Sequence, residues 1–353
     1  MATFLARSSE PRKNIATMKG PPSAEVGIDL GGTGSRFAVI SAGNVLALSE
    51  VPTGELGAGT PAERVSRMAA VVTGMLPGGY RLSGVGIGAS GPVLLPSGTI
   101  SNPDTLPWFS DFDLAGMLAT ELGAPVVIDN DAVAWALGEH HFGAGRECER
   151  LLVVTLGTGI GVAFLDHGRP YRDRGGQHPE CGHLPVDPRG PRCYCGLVGC
   201  WEMVASRRSL EARASQVTGT PDLGVAYDLL QAGHQGLEDL LADYGHAVGR
   251  GLESLNVAYS PDRAVLAGSV SRFLPYFGAG LAKELGHRPG FSNDLVVVES
   301  ALGAFGGAMG ASVLGSAGAS TADAPLSNGD GDLLTEEEMP RLDAEPTGDL
   351  GAE

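Results

Sequence analysis

Four residues in an eighteen-residue stretch, His183, Cys193, Cys195 and Cys200, have the types and spacing of a tetrahedral metal site. Three thiolates and one imidazole are donors that suit Zn²⁺, and with all four positions filled by protein the ion would be structural. Buried thiols scattered by chance would not concentrate in so polar a run of Gly and Pro. The other cysteines are Cys148 and Cys181, which makes an odd total of five in a chain without an apolar leader. A metal site accounts for that distribution better than a disulfide framework. His178-Pro-Glu180 supplies the His-x-Glu half of a zinc deaminase, but that chemistry then needs Pro-Cys-x-x-Cys. Here Pro191-Arg-Cys193-Tyr-Cys195 has the wrong register. The His-Glu-x-x-His pattern of a zinc protease is absent.

A second group could handle phosphate. Asp29-Leu-Gly-Gly-Thr33 sets backbone amides, a hydroxyl and an acid at a strand end. Amides in such a turn cradle a phosphate, and the acid can hold the Mg²⁺ bound to it. No Gly-Lys-Ser/Thr follows, so this is not a P-loop. A strand comes next where a dinucleotide fingerprint would have a helix. Leu156-Gly-Thr-Gly-Ile-Gly161 repeats the device about 130 residues later. Each turn alone fits an ordinary hairpin; two of them facing across a cleft could hold both ends of a triphosphate. Asn130 and Asp131 fall where a strand gives way to a helix, and taken alone they read as a helix cap.

The elements that must position these residues follow from hydrophobic spacing. Val26-Gly-Ile-Asp-Leu30 reads as a buried strand, continued by strands over 35–40 and 45–51 as an antiparallel meander. Helical spacing covers 61–76, with Pro61 suited to a first turn. Strands are expected over 83–89 and 126–129, and a helix from Asp131 to about His141. The second glycine turn is flanked by strands over 151–155 and 162–165, which makes the architecture a duplication. Helices are expected over 201–214 and 236–257, strands over 265–267 and 295–299, and a closing helix, rich in small residues, over 301–314. The fold class is therefore α/β with two lobes. Residues 1–24 form an extension, 25–130 the first lobe, 131–300 the second lobe with the zinc loop, and 301–314 the closing helix.

The net charge of −17 is unevenly placed: from Gly315 onward there are ten acidic residues and one Arg. Residues 315–353 are poor in aromatics and rich in Pro, Gly and acid, so they are expected to be disordered. The remaining body is mildly acidic, which gives no basic surface for nucleic acid. No run approaches the roughly 20 apolar residues of a membrane helix. A cytoplasmic protein without membrane or nucleic-acid partners is the expectation.

With these motifs in view, the chain resembles the ROK family of bacterial sugar kinases and repressors. The resemblance runs from Val26 to Leu314. It rests on Asp29-Leu-Gly-Gly-Thr33, Gly88-Ala-Ser-Gly91-Pro92-Val93, Asn130-Asp131-Ala132, Ala136-Leu-Gly-Glu139 and Phe142-Gly-Ala-Gly145. It continues through Leu156-Gly-Thr-Gly-Ile-Gly161, Glu180-Cys-Gly-His183 and Cys193-Tyr-Cys-Gly-Leu-Val-Gly-Cys-Trp-Glu202. It implies an actin-like (ribonuclease H-like) ATPase fold with a cleft between lobes, and transfer of the γ-phosphate of ATP to a sugar. By resemblance, Asp131 is the base that takes the proton of the sugar 6-hydroxyl. Gly91, Asn102, Asn130, Glu180, His183 and Glu202 line the sugar, with His183 also a zinc ligand. Gly31, Gly32, Thr33, Gly157, Thr158 and Gly159 are the phosphate turns, Asp29 the magnesium-side acid, and Gly268 and Ser269 the adenosine-side turn. Two departures stand out. Leu-Ala-Gly-Ser-Val-Ser replaces the usual Gly-Gly-Gly-Val-Ser. His178-Pro179 replaces the Ala-Gly of glucokinase-like members and is reminiscent of fructokinases, so glucose, fructose and amino or N-acetylated hexoses all stay open as substrates. The family's repressors carry a winged helix ahead of the first glycine turn, for which the 25 residues before Val26 leave no room, so a regulator is the lesser expectation. A homodimer is implied by analogy.

Overall fold

The computed structural model describes residues 21–286 and 294–321. Val26, Ile28 and Leu30 are fully buried and make β1 (Ser23–Leu30) the centre of a sheet. On one side β1 pairs antiparallel with β2 (Gly34–Ser41), and β2 with β3 (Asn44–Pro52). On the other it pairs parallel with β4 (Arg81–Ala89), and β4 with β5 (Val126–Asn130). The second sheet repeats this plan. β6 (Arg150–Leu156) pairs antiparallel with β7 (Ile160–Asp166), which pairs antiparallel with β8 (Arg169–Pro170). β6 also pairs parallel with β9 (Arg263–Ala267), and β9 with β10 (Val296–Glu299). The orders β3-β2-β1-β4-β5 and β8-β7-β6-β9-β10 are one topology used twice, so the duplication read from the glycine turns extends to whole sheets.

Register decides what the strands deliver. Leu30 lies beside Ala89, and Ala89 beside Asn130, so the first glycine turn, the Ser90-Gly91 segment and Asp131 leave the sheet at one edge. In the second sheet Thr155 lies beside Ala267, which brings Gly157 and Gly268 out together. Ligands of α/β sheets bind outside such carboxyl ends of parallel strands.

The helix Asp131–Phe142 is buried at every position from Ala132 to Glu139. Its apolar residues do not fall on one stripe, which marks a helix enclosed on all sides. It shares a core with Leu151, Val153, Leu165 and Val265 of the second sheet and with Ala311 and Leu314 of the last helix. That last helix, Gly306–Thr321, lies against β1 and β4 so closely that a Cβ on Gly27 would strike the Ala308 carbonyl and one on Gly86 the Ala311 carbonyl.

The element boundaries differ from the sequence expectation in two places with clear causes. The single helix expected over 201–214 is two, Trp201–Ala205 and Arg207–Thr218. Ser206 interrupts it by leaving helical backbone angles and capping the second helix through the Ser209 N–H. The closing helix begins later than expected, after a short turn at Gly303–Phe305, and runs on to Thr321. Its contact with the sheet continues past Leu314, since the backbone of Gly315 lies against Val85 and Gly86. Of the residues expected to be disordered, 322–353 lie outside the described residues, as do 1–20 of the extension. Among the described residues no helix is long and apolar enough to cross a membrane.

Candidate active site

Three consecutive residues at the end of β5 take three separate tasks. Asn130 is the helix cap: its side-chain oxygen accepts the Ala132 N–H at 2.8 Å, and its amide donates to the Gly91 carbonyl at 3.2 Å. Asp131 is then the first helical residue, released from the capping role that its position alone would suggest. Its Oδ2 accepts the Ser90 hydroxyl at 2.8 Å and its Oδ1 the Ala132 N–H at 2.8 Å. Burial pushes the Asp131 carboxyl above the usual carboxylate range; the Ser90 hydrogen bond and the nearby His178 oppose this, and the charge of Glu180 adds to it. Asp129, 5% exposed, is paired with Arg172 and accepts the Asn130 N–H at 2.8 Å. Arg172 also donates to the Gly176 carbonyl at 2.9 Å, so this ion pair ties the strand end to the loop that carries His178 and Glu180.

Across from Asp131, at the end of β1, burial and the charge of Asp131 push Asp29 up to about 7 against the opposing pull of Arg36, 4.0 Å away. Two carboxylates close enough for one to raise the other's proton affinity form a place where a divalent cation would be favoured.

Gly91 has φ +91°, and a side chain there would overlap the Asn102 amide. Asn102 in turn donates to the Ser90 carbonyl at 3.1 Å and accepts the Thr105 N–H at 3.2 Å, so it braces the segment that holds Asp131. His178 is buried, with Nε2 3.9 Å from a Glu180 oxygen, and both act on the charge of Asp131. Glu202, in the first turn of Trp201–Ala205, accepts the Ile160 N–H at 3.1 Å and lies against Gly159. It therefore joins the zinc loop to the second glycine turn. Glu180 acts on Asp131 beside Asn130, and it shares the surroundings of Tyr194 with His183 and Glu202, so residues scattered over about 70 positions are brought into one region.

Each glycine turn is closed by a backbone bond, Gly31 N–H to the Gly34 carbonyl at 3.2 Å in the first and, one residue tighter, Gly157 N–H to the Gly159 carbonyl at 3.0 Å in the second. Thr53 anchors the first, its hydroxyl donating to the Gly31 carbonyl at 2.6 Å; the Arg207 N–H anchors the second through the Gly157 carbonyl at 2.8 Å. Gly32 packs on Thr105. Thr33 and Thr158, one at each turn, are exposed, as is Ser269 beside Gly268. Gly268 lies on the backbone of Leu156, and its carbonyl accepts the Ser271 hydroxyl at 2.9 Å. Exposed hydroxyls beside turn amides form a surface suited to phosphate oxygens.

The donor atoms of His183, Cys193, Cys195 and Cys200 lie within 4.8 Å of one another. Cys193 Sγ is 3.5 Å from His183 Nδ1, and Cys195 Sγ is 3.5 Å from Cys200 Sγ. A turn closed by Cys193 N–H to the Leu197 carbonyl, 2.8 Å, presents the thiols to each other. Burial, with the neighbouring thiols, pushes Cys200 up to about 12, a cost that a bound dication would reverse. The set fits Zn²⁺ in number and chemistry. Cys148 and Cys181 are buried elsewhere and take no part.

Sequence reasoning did not single out Ser90, the Asp129–Arg172 pair or Tyr194. Ser90 sits inside the quoted Gly88-Ala-Ser-Gly run and was available to it. Arg172 falls in a loop with no pattern to mark it. Tyr194, between two cysteines, carries its hydroxyl to 3.3 Å from His183 Nε2.

The chain belongs to the ROK family, whose model matches residues 25–317. It is 32% identical over 265 residues to the glucokinase of Streptomyces coelicolor, covering 70% of this chain and 82% of that one. It is 30% identical over 247 residues to the xylose repressor of Bacillus subtilis, covering 68% and 63% respectively. The crystal structure of a ROK family glucokinase from Streptomyces griseus in complex with glucose and AMPPNP matches 84% of this chain and 100% of that one, with a TM-score of 0.71 and 27% identity. The two sheets are thus the paired sheets of the actin-like ATPase fold.

Proposed function

We propose that this ROK chain is an ATP-dependent hexose kinase that moves the γ-phosphate to a sugar hydroxyl, the 6-hydroxyl of glucose or a close analogue. The observation that carries the reading is the placement of Asp131. It is half-buried and freed from capping by Asn130, and it lies where Asp29 approaches from the first glycine turn and Glu180 and His178 from the sugar-facing loop. Phosphoryl transfer passes through a loose transition state, so the protein's work is positioning and charge neutralisation. Asp131 is placed to take the proton of the attacking hydroxyl while Ser90 fixes the carboxylate's direction. Asn130, Asn102 through Gly91, Glu180, His183 and Glu202 would hold the ring by its hydroxyls, and a site built for hydroxyls rejects analogues that lack them.

The turns at Gly31–Thr33 and Gly157–Gly159, with Gly268 and Ser269, would receive the nucleotide. Asp29 would hold its Mg²⁺, which supplies neutralisation of the phosphate charge. The four-donor cluster would hold Zn²⁺, which supplies stiffness to the loop bearing Glu180, His183 and Glu202. Support comes from the S. coelicolor glucokinase and from the S. griseus enzyme that carries glucose and AMPPNP.

His178-Pro179, with His178 buried beside Glu180, favours as a second reading a fructose or amino or N-acetylated hexose substrate. Coupled ADP release with glucose, fructose, mannose, glucosamine, N-acetylmannosamine and kanosamine tests both. Sugar binding by calorimetry without ADP release from any of them would replace the kinase by a sugar-responsive regulator, as the name of the similar xylose repressor describes that protein.

A further inference from the structure

We infer that the hydroxyl of Tyr194 is a built-in stand-in for a sugar hydroxyl, holding His183 and Glu202 until a hexose displaces it and so setting the affinity of the site. The inference rests on the hexose-kinase reading. Tyr194 is 78% exposed, the largest exposure of any big hydrophobic side chain among the described residues. Its ring nevertheless leans on His183, T-shaped at 5.1 Å between centroids. The hydroxyl lies 3.3 Å from His183 Nε2 and has the Glu202 side chain close enough to act on it. These are two of the groups assigned to the sugar.

The protonation pattern makes the mimicry specific. His183 turns Nδ1 toward the Cys193 sulfur, 3.5 Å away, and a metal ion held by Nδ1 would leave the ring proton on Nε2. Nε2–H then donates to the Tyr194 oxygen, and the phenol donates its own proton to the Glu202 carboxylate, which can only accept. One bond accepted and one donated is the pattern a sugar hydroxyl offers between the same two groups. A side chain this exposed can swing away by rotation about its own torsions, with the cysteine-bearing backbone left in place.

A hexose entering the pocket must therefore break these bonds before making its own. A net hydrogen bond lost to such competition corresponds to about a 2- to 10-fold weaker affinity. Tyr194→Phe keeps the ring contact and removes the competitor. Sugar affinity by calorimetry in the absence of nucleotide is expected to tighten about 3- to 10-fold, with KM for the sugar falling in step, kcat moving less than KM, and zinc content by metal analysis unchanged. Tyr194→Ala should bind at least as tightly as wild type. Unchanged or weaker sugar binding by the zinc-replete Tyr194→Phe protein would overturn the inference, weaker binding meaning that the phenol is itself a sugar ligand. Loss of zinc in the Phe variant would overturn it too, by showing that Tyr194 acts on the metal loop. A wild-type protein that binds none of the hexoses would sink the kinase reading, and this one with it; wild-type binding matched by the Phe variant sinks this one alone.

Discussion

Asp131→Asn separates the proposed catalysis from architecture because the two fall to adjacent residues. Asn130 caps the helix, so the substitution leaves the Ala132 N–H with its 2.8 Å acceptor. The new amide keeps an oxygen for the Ser90 hydroxyl, now 2.8 Å from Oδ2. Nothing in the cap is lost, and losing one would cost about 1 kcal/mol. The charge itself is unfavourable in the free protein: burial raises the Asp131 carboxyl, and its charge raises Asp29 in turn. An acid with a raised folded-state pKa destabilises the fold at pH values where it is ionised, so removing its charge should leave the melting temperature at neutral pH unchanged or higher. What disappears is the proposed proton acceptor. Positioned bases contribute about 10²–10⁴-fold, or roughly 3–5.5 kcal/mol of barrier. Coupled ADP release should show kcat down by that factor, while calorimetry shows sugar affinity within about threefold of wild type, the amide still offering hydrogen bonds. Turnover near wild type in the folded variant would refute the base assignment. A loss of affinity as large as the loss of turnover would recast Asp131 as a binding residue.

Cys193→Ser replaces a thiolate by a poor zinc donor; metal analysis should find the zinc lost and the ADP-release assay a large fall in activity, because Glu180 and Glu202 flank the cluster. Arg172→Ala strands the buried Asp129 carboxylate, which typically costs about 3–5 kcal/mol, so thermal melts should fall by roughly 6–15 °C, and a drop under about 2 °C would show the pair to be dispensable. Deleting 322–353 should leave turnover within about twofold, since it keeps the whole of Gly306–Thr321. Deleting from Gly315 instead removes backbone packed on Val85 and Gly86, and thermal melts should show clear destabilisation.

Much of this arrangement was legible in the sequence because it is encoded locally. The glycine hairpins need Gly where chain reversal brings backbones together, and the zinc set needs four donors in one short loop. Both leave fixed residue types at fixed spacing. Strand centres were legible for the same reason, as with Val26, Ile28 and Leu30. What escaped is encoded at a distance. The break at Ser206 depends on whether one side chain caps the next helix, and a serine inside a helical pattern does not announce that choice. The reach of the last helix past Leu314 is set by Gly84 and Gly86, more than 220 residues earlier, which admit its backbone. The Asp129–Arg172 pair joins positions 43 apart and leaves no periodic trace.

The strand end at β5 shows why a motif can mark two residues and leave their roles undivided. Asn130-Asp131 contains two good capping side chains, and a sequence cannot say which will cap. Register decides it: Asn130 pairs with Ala89, so its amide reaches Gly91 and its oxygen folds back over the helix start, while Asp131, one residue on, is carried to Ser90. Exchanging the two side chains would keep a cap of equal quality and move the carboxylate back one position, roughly 100° around a helix of 3.6 residues per turn. A doubly substituted protein, Asn130→Asp with Asp131→Asn, should therefore melt close to the wild type and phosphorylate sugar no faster than Asp131→Asn alone. Recovery of turnover in the swapped protein would mean that either position can present the base, and that the register of β4 against β5 is not what places it.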